Sequence, residues 1–427
     1  MVSVESLKSK KILVYGAGIS GLATLAKLKK KVKQLSLWDD NLVSRQVAKK
    51  KFGVHLDQNF ITNNYDYIVM SPGIDIYHHT YKSFFIKNFD KIITDIDIFT
   101  SSINLKKNKI ILITGTNGKS TFCKLVYDVL KSQNKYTHLL GNFGRPVLSF
   151  KENLFRNFYI LELSSYQIEY SKFLKSHIST VLNITPDHLS RHKTFQNYVK
   201  IKLKIFNSLL PRGKGFVSED FLFLKKIKKN NIYRVKLLKN LTLKNYFLNK
   251  KNFLPGLSIV YQILKFLKIS RKIIFKEFNS FKPLPHRQEF VRKIKNITFI
   301  NDSKATNFDS ANFSLQFYDN IFWIAGGLLK KNDTPKFSLS VQKKIKKIYL
   351  IGKQINPFQS LLKKKFRISI SKNMNNAIKQ SFKDAKKLNL GSSTILLSPA
   401  AASFDQFKNF EHRGNIFKNL VNKINNV

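Results

Sequence analysis

The chain has one cysteine, Cys123, in 427 residues. That excludes an intrachain disulfide and any multi-cysteine metal cluster. No run of eighteen apolar residues occurs, so no membrane-spanning helix and no membrane insertion are expected. The opening residues, MVSVESLKSKKILVYG, lack a signal-peptide layout: their apolar run leads straight into a glycine turn. A cytoplasmic protein is expected. Acidic residues are scarce, 25 Asp and Glu against 76 Lys and Arg, which leaves a formal net charge of +51. Such a charge raises nucleic-acid binding, in which lysines neutralise phosphates. Arginine, the carrier of most base-edge contacts, is sparse, however, and lysines are scattered through every region among abundant Asn, Ile and Phe. No nucleic-acid partner is therefore expected, although the charge should attract acidic substrates such as nucleotides. No short tandem repeat is present. With 43% hydrophobic residues, the chain has material for about two to four cored domains.

What is there centres on KIILITGTNGKST, residues 109–121. An apolar run ends in a glycine turn, and an apolar-patterned segment over 122–130 follows, giving strand, turn and helix. This order builds a phosphate cradle. Backbone N–H groups and a helix N-terminus face the anion, Lys119 reaches the terminal phosphates, and the Ser120 hydroxyl is placed to ligate Mg²⁺. The strict P-loop pattern needs a glycine five residues before Gly118, where Ile113 stands, so the strand–turn–helix context supports the assignment.

Upstream, a strand over 10–15 runs into Gly16-Ala17-Gly18-Ile19-Ser20-Gly21 and a helix, and a strand over 34–38 ends at Asp39. Alone, this is a dinucleotide fingerprint. A strand over 66–70 ends in Ser71-Pro72-Gly73-Ile74, where ligands of open α/β sheets bind. The second, complete cradle at residue 114 argues against a nicotinamide-dependent oxidoreductase. Residues 92–100 read as a connector.

Downstream, a strand over 158–161 delivers Glu162 near the cradle. A Mg²⁺ ligand belongs there, although an acid at a helix start would also suit the macrodipole. A strand over 179–184 leads into a segment with His188 beside Asp187, a candidate metal ligand. A helix over 194–210 carries an apolar stripe of Phe195, Tyr198, Ile201, Ile205 and Leu209. Lys202 falls on that stripe, with Lys200 and Lys204 toward solvent. A cation on a buried face calls for snorkelling, an ion pair or chemical modification. Strands over 297–300, 321–325, 347–351 and 394–397, ending in glycine or polar residues, make a third α/β unit.

Taken in order, GAGISG, SPGI, TGTNGKST, GNFG, ELSSYQ, NITPDHLSRH, the lysine at 202, LPHRQE, NDSKATN and SPAAASFDQFKNFEHRG cover nearly the whole chain. Together they resemble the Mur ligases, most closely the members that add D-glutamate. The resemblance implies an α/β fold of three domains. These are a Rossmann-like N-terminal domain for a UDP sugar (1–92), a central P-loop mononucleotide-binding domain for ATP and Mg²⁺ (93–283), and a Rossmann-like C-terminal domain for the amino acid (284–427), which closes over the site. The implied reaction joins D-glutamate to UDP-N-acetylmuramoyl-L-alanine through an acyl phosphate, in peptidoglycan precursor synthesis. A monomer is expected.

Residue roles follow from the same resemblance. Gly115, Thr116, Asn117, Gly118, Lys119, Ser120 and Thr121, with Asn252, His286, Arg287 and Asp302, match ATP-binding positions. Ser120, Glu162, His188 and a carbamylated Lys202 match Mg²⁺ ligands, and Lys119, Asn142, His188 and Lys202 match catalytic positions. Ile19, Ser20, Asp39, Ser71, Pro72, Gly73 and Asn142 match the UDP-sugar site, so the first fingerprint is expected to hold UDP rather than NAD. Lys304, Thr306, Lys330, Ser403 and Phe410 match positions around D-glutamate. The chain departs from the pattern at Pro255, where Asn is usual, and at Asp39-Asp40, a Thr-Arg pair in some members. It also departs after Gly326-Gly327, which leaves Lys330 or Lys331 to face the substrate.

Overall fold

A computed structural model describes residues 2–150, 153–227, 230–238, 243–245, 247–249, 253–329 and 333–425. The chain divides into two compact units, Met1–Phe281 and Lys282–Val427. The α/β class and the three parallel-sheet domains expected from the sequence are those found. Among the described residues, no helix is long and apolar enough to cross a membrane.

The first unit holds two sheets. Strands β1 (Lys11–Tyr15), β2 (Gln34–Trp38), β3 (His55–Leu56), β4 (Tyr67–Met70) and β5 (Ile92–Ile93) form an all-parallel sheet in the order β3-β2-β1-β4-β5. The start of the expected connector is thus the last strand of this sheet. The remainder is a helix, Asp95–Ser102, closed at its start by a Thr94–Asp97 capping box. Strands β6 (Lys109–Thr114), β7 (Tyr136–Gly141), β8 (Asn157–Glu162), β9 (Ser176–Val181), β10 (Leu209–Ser218) and β11 (Ile232–Val235) form the second sheet, also parallel, ordered β11-β10-β9-β6-β8-β7. The central strand β6 is apolar from Ile110 to Ile113, on both faces, because helices cover both faces of a parallel sheet. One core runs through both sheets. Ile12 and Val14 of the first and Ile110 and Leu112 of the second belong to it, with Ile96, Ile98 and Phe99 of the connecting helix between them. At about 1.5–3 kcal/mol for each large apolar side chain buried, that helix fastens the two sheets together.

The second unit is one sheet. Its strands are β12 (Glu289–Ile294), β13 (Ile297–Asn301), β14 (Ile321–Gly326), β15 (Ile345–Ile351), β16 (Ile368–Lys372) and β17 (Ser393–Leu397), ordered β12-β13-β17-β14-β15-β16. Only the edge strand β12 runs antiparallel. Side chains alternate between faces: Trp323 and Ala325 enter one core cluster, Phe322 and Ile324 the other.

Two local expectations change. Strand β9 stops at Val181, three residues early, because the chain turns to clamp the glycine loop. The helix expected over 194–210 is α-helical over Phe195–Leu203 and 3₁₀ over Lys204–Ser208. Lys204 consequently does not face solvent: its ammonium donates to the Glu169 carbonyl at 2.9 Å.

Candidate active site

The glycine loop lies between β6 and the helix Lys119–Lys131. Gly118 begins the helix at φ +79, and a Cβ there would stand 2.9 Å from the Phe122 ring. Asn183, just beyond β9, pins the loop. Its Oδ1 accepts from the amides of Thr116 (3.1 Å) and Asn117 (2.8 Å), and its Nδ2 donates to the Asn117 carbonyl (3.0 Å). Those two amides are thereby committed to the loop itself. The donors aimed along the helix axis are those of its first turn, from Lys119 onward. The Thr116 hydroxyl donates to the Thr185 carbonyl at 3.1 Å, fastening the 182–187 segment to the same loop. The Lys119 ammonium lies over the loop, donating to the carbonyls of Gly115 and Thr116 at 2.8 Å each.

Glu162 ends β8 beside Ile113 of β6. Its carboxylate is buried and accepts from the Ser120 hydroxyl at 2.5 Å and from Asn142 Nδ2 at 2.8 Å. The Asn142 amide also donates to the Glu162 carbonyl at 2.9 Å. Gly141, at φ +97, permits this approach, since a Cβ there would sit 2.5 Å from that carbonyl oxygen. Three residues singled out from separate segments therefore meet at one carboxylate.

Lys202 is 1% exposed. Its amine donates to the Gly115 carbonyl at 2.8 Å and to the Thr114 hydroxyl at 3.3 Å, and sits 4.8 Å above the Tyr198 ring. Burial first, then the neighbouring Lys119 cation, push its pKa well below the usual lysine range. Two lysine amines thus share one carbonyl oxygen, and the shift favours the uncharged form of the buried one. His188 opens the short helix Leu189–His192 at φ 55, with Nδ1 2.7 Å from the Tyr166 hydroxyl and Nε2 3.3 Å from Asp187.

Among the described residues no three His, Cys, Asp or Glu side chains are grouped to hold a metal. The donors present still suit Mg²⁺. A buried carboxylate whose two oxygens accept from the neutral donors Ser120 and Asn142 is a hard-oxygen site. Mg²⁺ takes one or two such protein ligands and completes its shell with water and substrate phosphates.

The comparisons with known proteins bear on this arrangement. A family profile described as Mur ligase middle domain matches residues 113–255, the segment that carries the cradle, Glu162, His188 and Lys202. The UDP-N-acetylmuramoylalanine--D-glutamate ligase of Rickettsia prowazekii is 34% identical over 98% of this chain and 99% of its own. The chain belongs to the UDP-N-acetylmuramoylalanine--D-glutamate ligase family, within the Mur ligases. The Caulobacter vibrioides protein of the same name is 31% identical over 99% of this chain and 98% of its own. Solved structures agree in fold. A MurF ligase from Thermotoga maritima in complex with ADP gives a TM-score of 0.58 at 12% identity, over 99% of this chain and 97% of its own. A pseudomurein peptide ligase type C from Methanothermus fervidus gives 0.57 at 16%, over 98% and 100%.

In this Mur ligase the first sheet places the Gly16–Gly21 turn, Asp39 and the 71–73 loop at the ends of the adjacent strands β1, β2 and β4. Ile19 is exposed at the helix start. Ser71 donates to the Gly16 carbonyl at 3.1 Å, and Pro72 and Gly73 follow it. Ser20 hydrogen-bonds the buried Asp95, whose carboxyl is raised to about 6 by burial. Asp39, expected at the UDP sugar, is half-buried and holds its own loop. One oxygen accepts from the Ala17 amide at 2.6 Å and the other from the Asn41 amide at 2.8 Å. Its carboxylate therefore shapes the loop. The residue beside it, Asp40, meets Tyr15 at 2.7 Å and His79 at 2.8 Å.

In the second unit the loops after β13, β14 and β17 gather at one edge. Leu328 and Ala402 pair through their backbones at 2.9 and 3.0 Å. Lys304 stands 3.8 Å above the Phe410 ring, with Thr306 half-buried on the same loop and Ser403 buried after β17. His286 is packed against Gly414, with Nδ1 3.0 Å from Asn301 Nδ2, and burial lowers its pKa. Arg287, the next residue, is half-buried. Asp302, expected at ATP, is also held internally by Ser314 (2.6 Å), Ser398 (3.0 Å) and the Gln288 amide (3.1 Å). Asn252, Lys330 and Lys331 lie outside the described residues.

Two organising residues were not singled out by sequence reasoning. Asn183 acts across β9 and β6, a pairing that only the sheet reveals. Arg413 is fully buried and bonds the Ser303 hydroxyl (3.0 Å), the Ser303 carbonyl (2.8 Å) and the Ala401 carbonyl (3.0 Å). Its signal was visible: it shares a helical stripe with Phe417 and Val421, as Lys202 does with its apolar neighbours.

Two outcomes follow. Asn183→Ala removes three loop hydrogen bonds and should raise KM for ATP about tenfold, with a smaller change in kcat, in steady-state assays. Burial pushes the Asp302 carboxyl up to about 7. The folded state then holds a proton that the unfolded chain releases near pH 4, so this group's contribution to stability is lost as pH rises from about 4 through about 7. The melting temperature of Asp302→Asn should therefore fall less across that window than that of the wild type.

Proposed function

We propose that this ligase joins D-glutamate to the carboxylate of UDP-N-acetylmuramoyl-L-alanine, with ATP going to ADP and phosphate, in peptidoglycan precursor synthesis. The observation that carries the reading is the buried Glu162 carboxylate held between Ser120 of the glycine loop and Asn142, with Lys119 over the same loop. A carboxylate is a poor acceptor for an amine, so it must first be activated. A substrate carboxylate oxygen attacks the γ-phosphorus of ATP, the bond to the β-phosphate oxygen breaks, and ADP leaves. The amine of D-glutamate then attacks the carbonyl carbon, the bond to the phosphate oxygen breaks, and the nitrogen gives up its proton. Ser120, Glu162 and His188 would hold Mg²⁺, which would supply charge neutralisation on the phosphates.

The chain's residues do the positioning. The first turn of the helix Lys119–Lys131 and the Lys119 ammonium hold phosphate oxygens, and Asn142 orients the reacting carboxylate. Lys202 takes up carbon dioxide: its neutral amine adds to the carbon, loses a proton and becomes a carbamate, an acidic oxygen donor toward Mg²⁺. The lowering of its pKa, by burial first and then by Lys119, favours the uncharged amine which that step needs. The turn at Gly16–Gly21, with Ile19, Ser20, Ser71, Pro72 and Gly73, takes the uridine diphosphate. Lys304, Thr306, Ser403 and Phe410 serve D-glutamate, whose two carboxylates suit a cation. One chain carries every residue of the reading, so a cytoplasmic monomer suffices.

The test is phosphate release from ATP with UDP-N-acetylmuramoyl-L-alanine and a panel of D-glutamate, L-glutamate, L-lysine, diaminopimelate or no amino acid. Release with D-glutamate alone is expected. Release with another member of the panel would sink the assignment of the second unit.

A further inference from the structure

Arg191 is a buried cation in the first unit with no part in the chemistry above. Its guanidinium bonds Glu169 through Nε (3.1 Å) and Nη2 (2.9 Å), and Nη2 also donates to the Tyr170 hydroxyl at 2.5 Å. It lies 4.9 Å from the Tyr166 ring and 5.2 Å from the Tyr170 ring. The two tyrosines are four residues apart on the helix Ser165–Tyr170, which starts three residues after Glu162. They therefore share a face, but their hydroxyls point to different places. Tyr166 meets Nδ1 of His188 at 2.7 Å. Tyr170 donates to the Ile74 carbonyl at 2.7 Å and lies 3.4 Å from the Ile76 amide, directly after the 71–73 loop of the other sheet. Asp75 on that loop stands 3.9 Å from Arg191.

We propose that Tyr166 and Tyr170, clamped by Arg191, are a positioning pair: Tyr166 fixes the ring of His188, and Tyr170 fixes the loop that takes the UDP sugar. This rests on the reading of those two sites given above. By engaging Nδ1, Tyr166 assigns ligand contact to the Nε2 edge, the edge beside Asp187. An imidazole held at one nitrogen keeps its ring plane, and losing such a partner costs about 10–100-fold in metal affinity. The Tyr170 hydroxyl sets the height of the 71–74 turn against the central domain, so it acts on binding of the UDP sugar rather than on the metal. One buried cation thus holds the His188 arm and the UDP-sugar loop in a fixed relation.

The two arms separate experimentally, because Tyr→Phe keeps each ring under the guanidinium and removes one oxygen. Mn²⁺ is titrated into the full chain with a non-hydrolysable ATP analogue, read by electron paramagnetic resonance. Tyr166→Phe should weaken Mn²⁺ binding at least about tenfold, and Tyr170→Phe should leave it as in the wild type. In turnover assays Tyr170→Phe should raise KM for the UDP sugar several-fold at unchanged kcat. Wild-type Mn²⁺ affinity in Tyr166→Phe, or equal losses in both variants, would overturn the proposal. So would an unchanged KM in Tyr170→Phe. A wild-type chain inactive with D-glutamate would sink the functional reading instead, and the Mn²⁺ titration would still decide the role of Tyr166.

Discussion

Lys202→Ala is expected to lower kcat by about a thousandfold or more while the protein remains folded. The amine stands 2.8 Å from the Gly115 carbonyl, and burial first and Lys119 next lower its pKa, which favours the uncharged form that the proposed uptake of carbon dioxide needs. On the proposed reading the substitution removes the carbamate, an anionic metal ligand at the phosphates, and a metal's charge stabilisation amounts to several kcal/mol of barrier. The Ala side chain also leaves a small cavity beside Tyr198. Acetate, which carries the same two oxygens, should recover part of the rate in Lys202→Ala. Lys202→Arg should stay inactive with or without it, since a guanidinium does not form the carbamate. The measurement is kcat with and without added acetate. Full activity in Lys202→Arg would remove the carbamate from the account.

Arg413→Met should destabilise the second unit by about 3 kcal/mol or more, seen as a lower urea midpoint for that unit. The side chain is fully buried and donates to three acceptors on the loops after β13 and β17. Methionine fills the volume but leaves two carbonyls and a hydroxyl without a charged donor, and each such loss is costly inside a core. Burial lowers the guanidinium to about 10, so it remains a cation at neutral pH. The same two loops carry Lys304 and Ser403, so KM for D-glutamate should rise as stability falls.

Strands β1, β2, β4, β6, β8, β9, β13, β14, β15 and β17 were legible because each is a short apolar run ending in glycine or polar residues, whereas β3, β5, β7, β10, β11 and β16 are too short or too polar to show that pattern. The cradle was legible because strand, glycine turn and Gly-Lys-Ser occur in that order. Lys202 was legible through helical spacing alone: a cation on an apolar stripe is conspicuous, and its amine is buried as that spacing requires. The same logic, applied to the helix Phe410–Asn422, would have found Arg413. Other residues could not be read this way. Whether Asp39 faces a ligand or the Ala17 amide depends on a turn a few ångströms wide. Asn183 matters because β9 lies beside β6, although β7 and β8 intervene in sequence. Arg191 reaches Asp75 and Tyr170 reaches Ile74 across more than ninety residues of chain, because one core joins the two sheets.

The most direct test of the account follows oxygen. UDP-N-acetylmuramoyl-L-alanine carrying ¹⁸O in its alanine carboxylate is turned over with ATP, Mg²⁺ and D-glutamate, and the released phosphate is weighed by mass spectrometry. An acyl phosphate requires one ¹⁸O to leave with each phosphate. Unlabelled phosphate, formed at the same rate as the amide product, would contradict it.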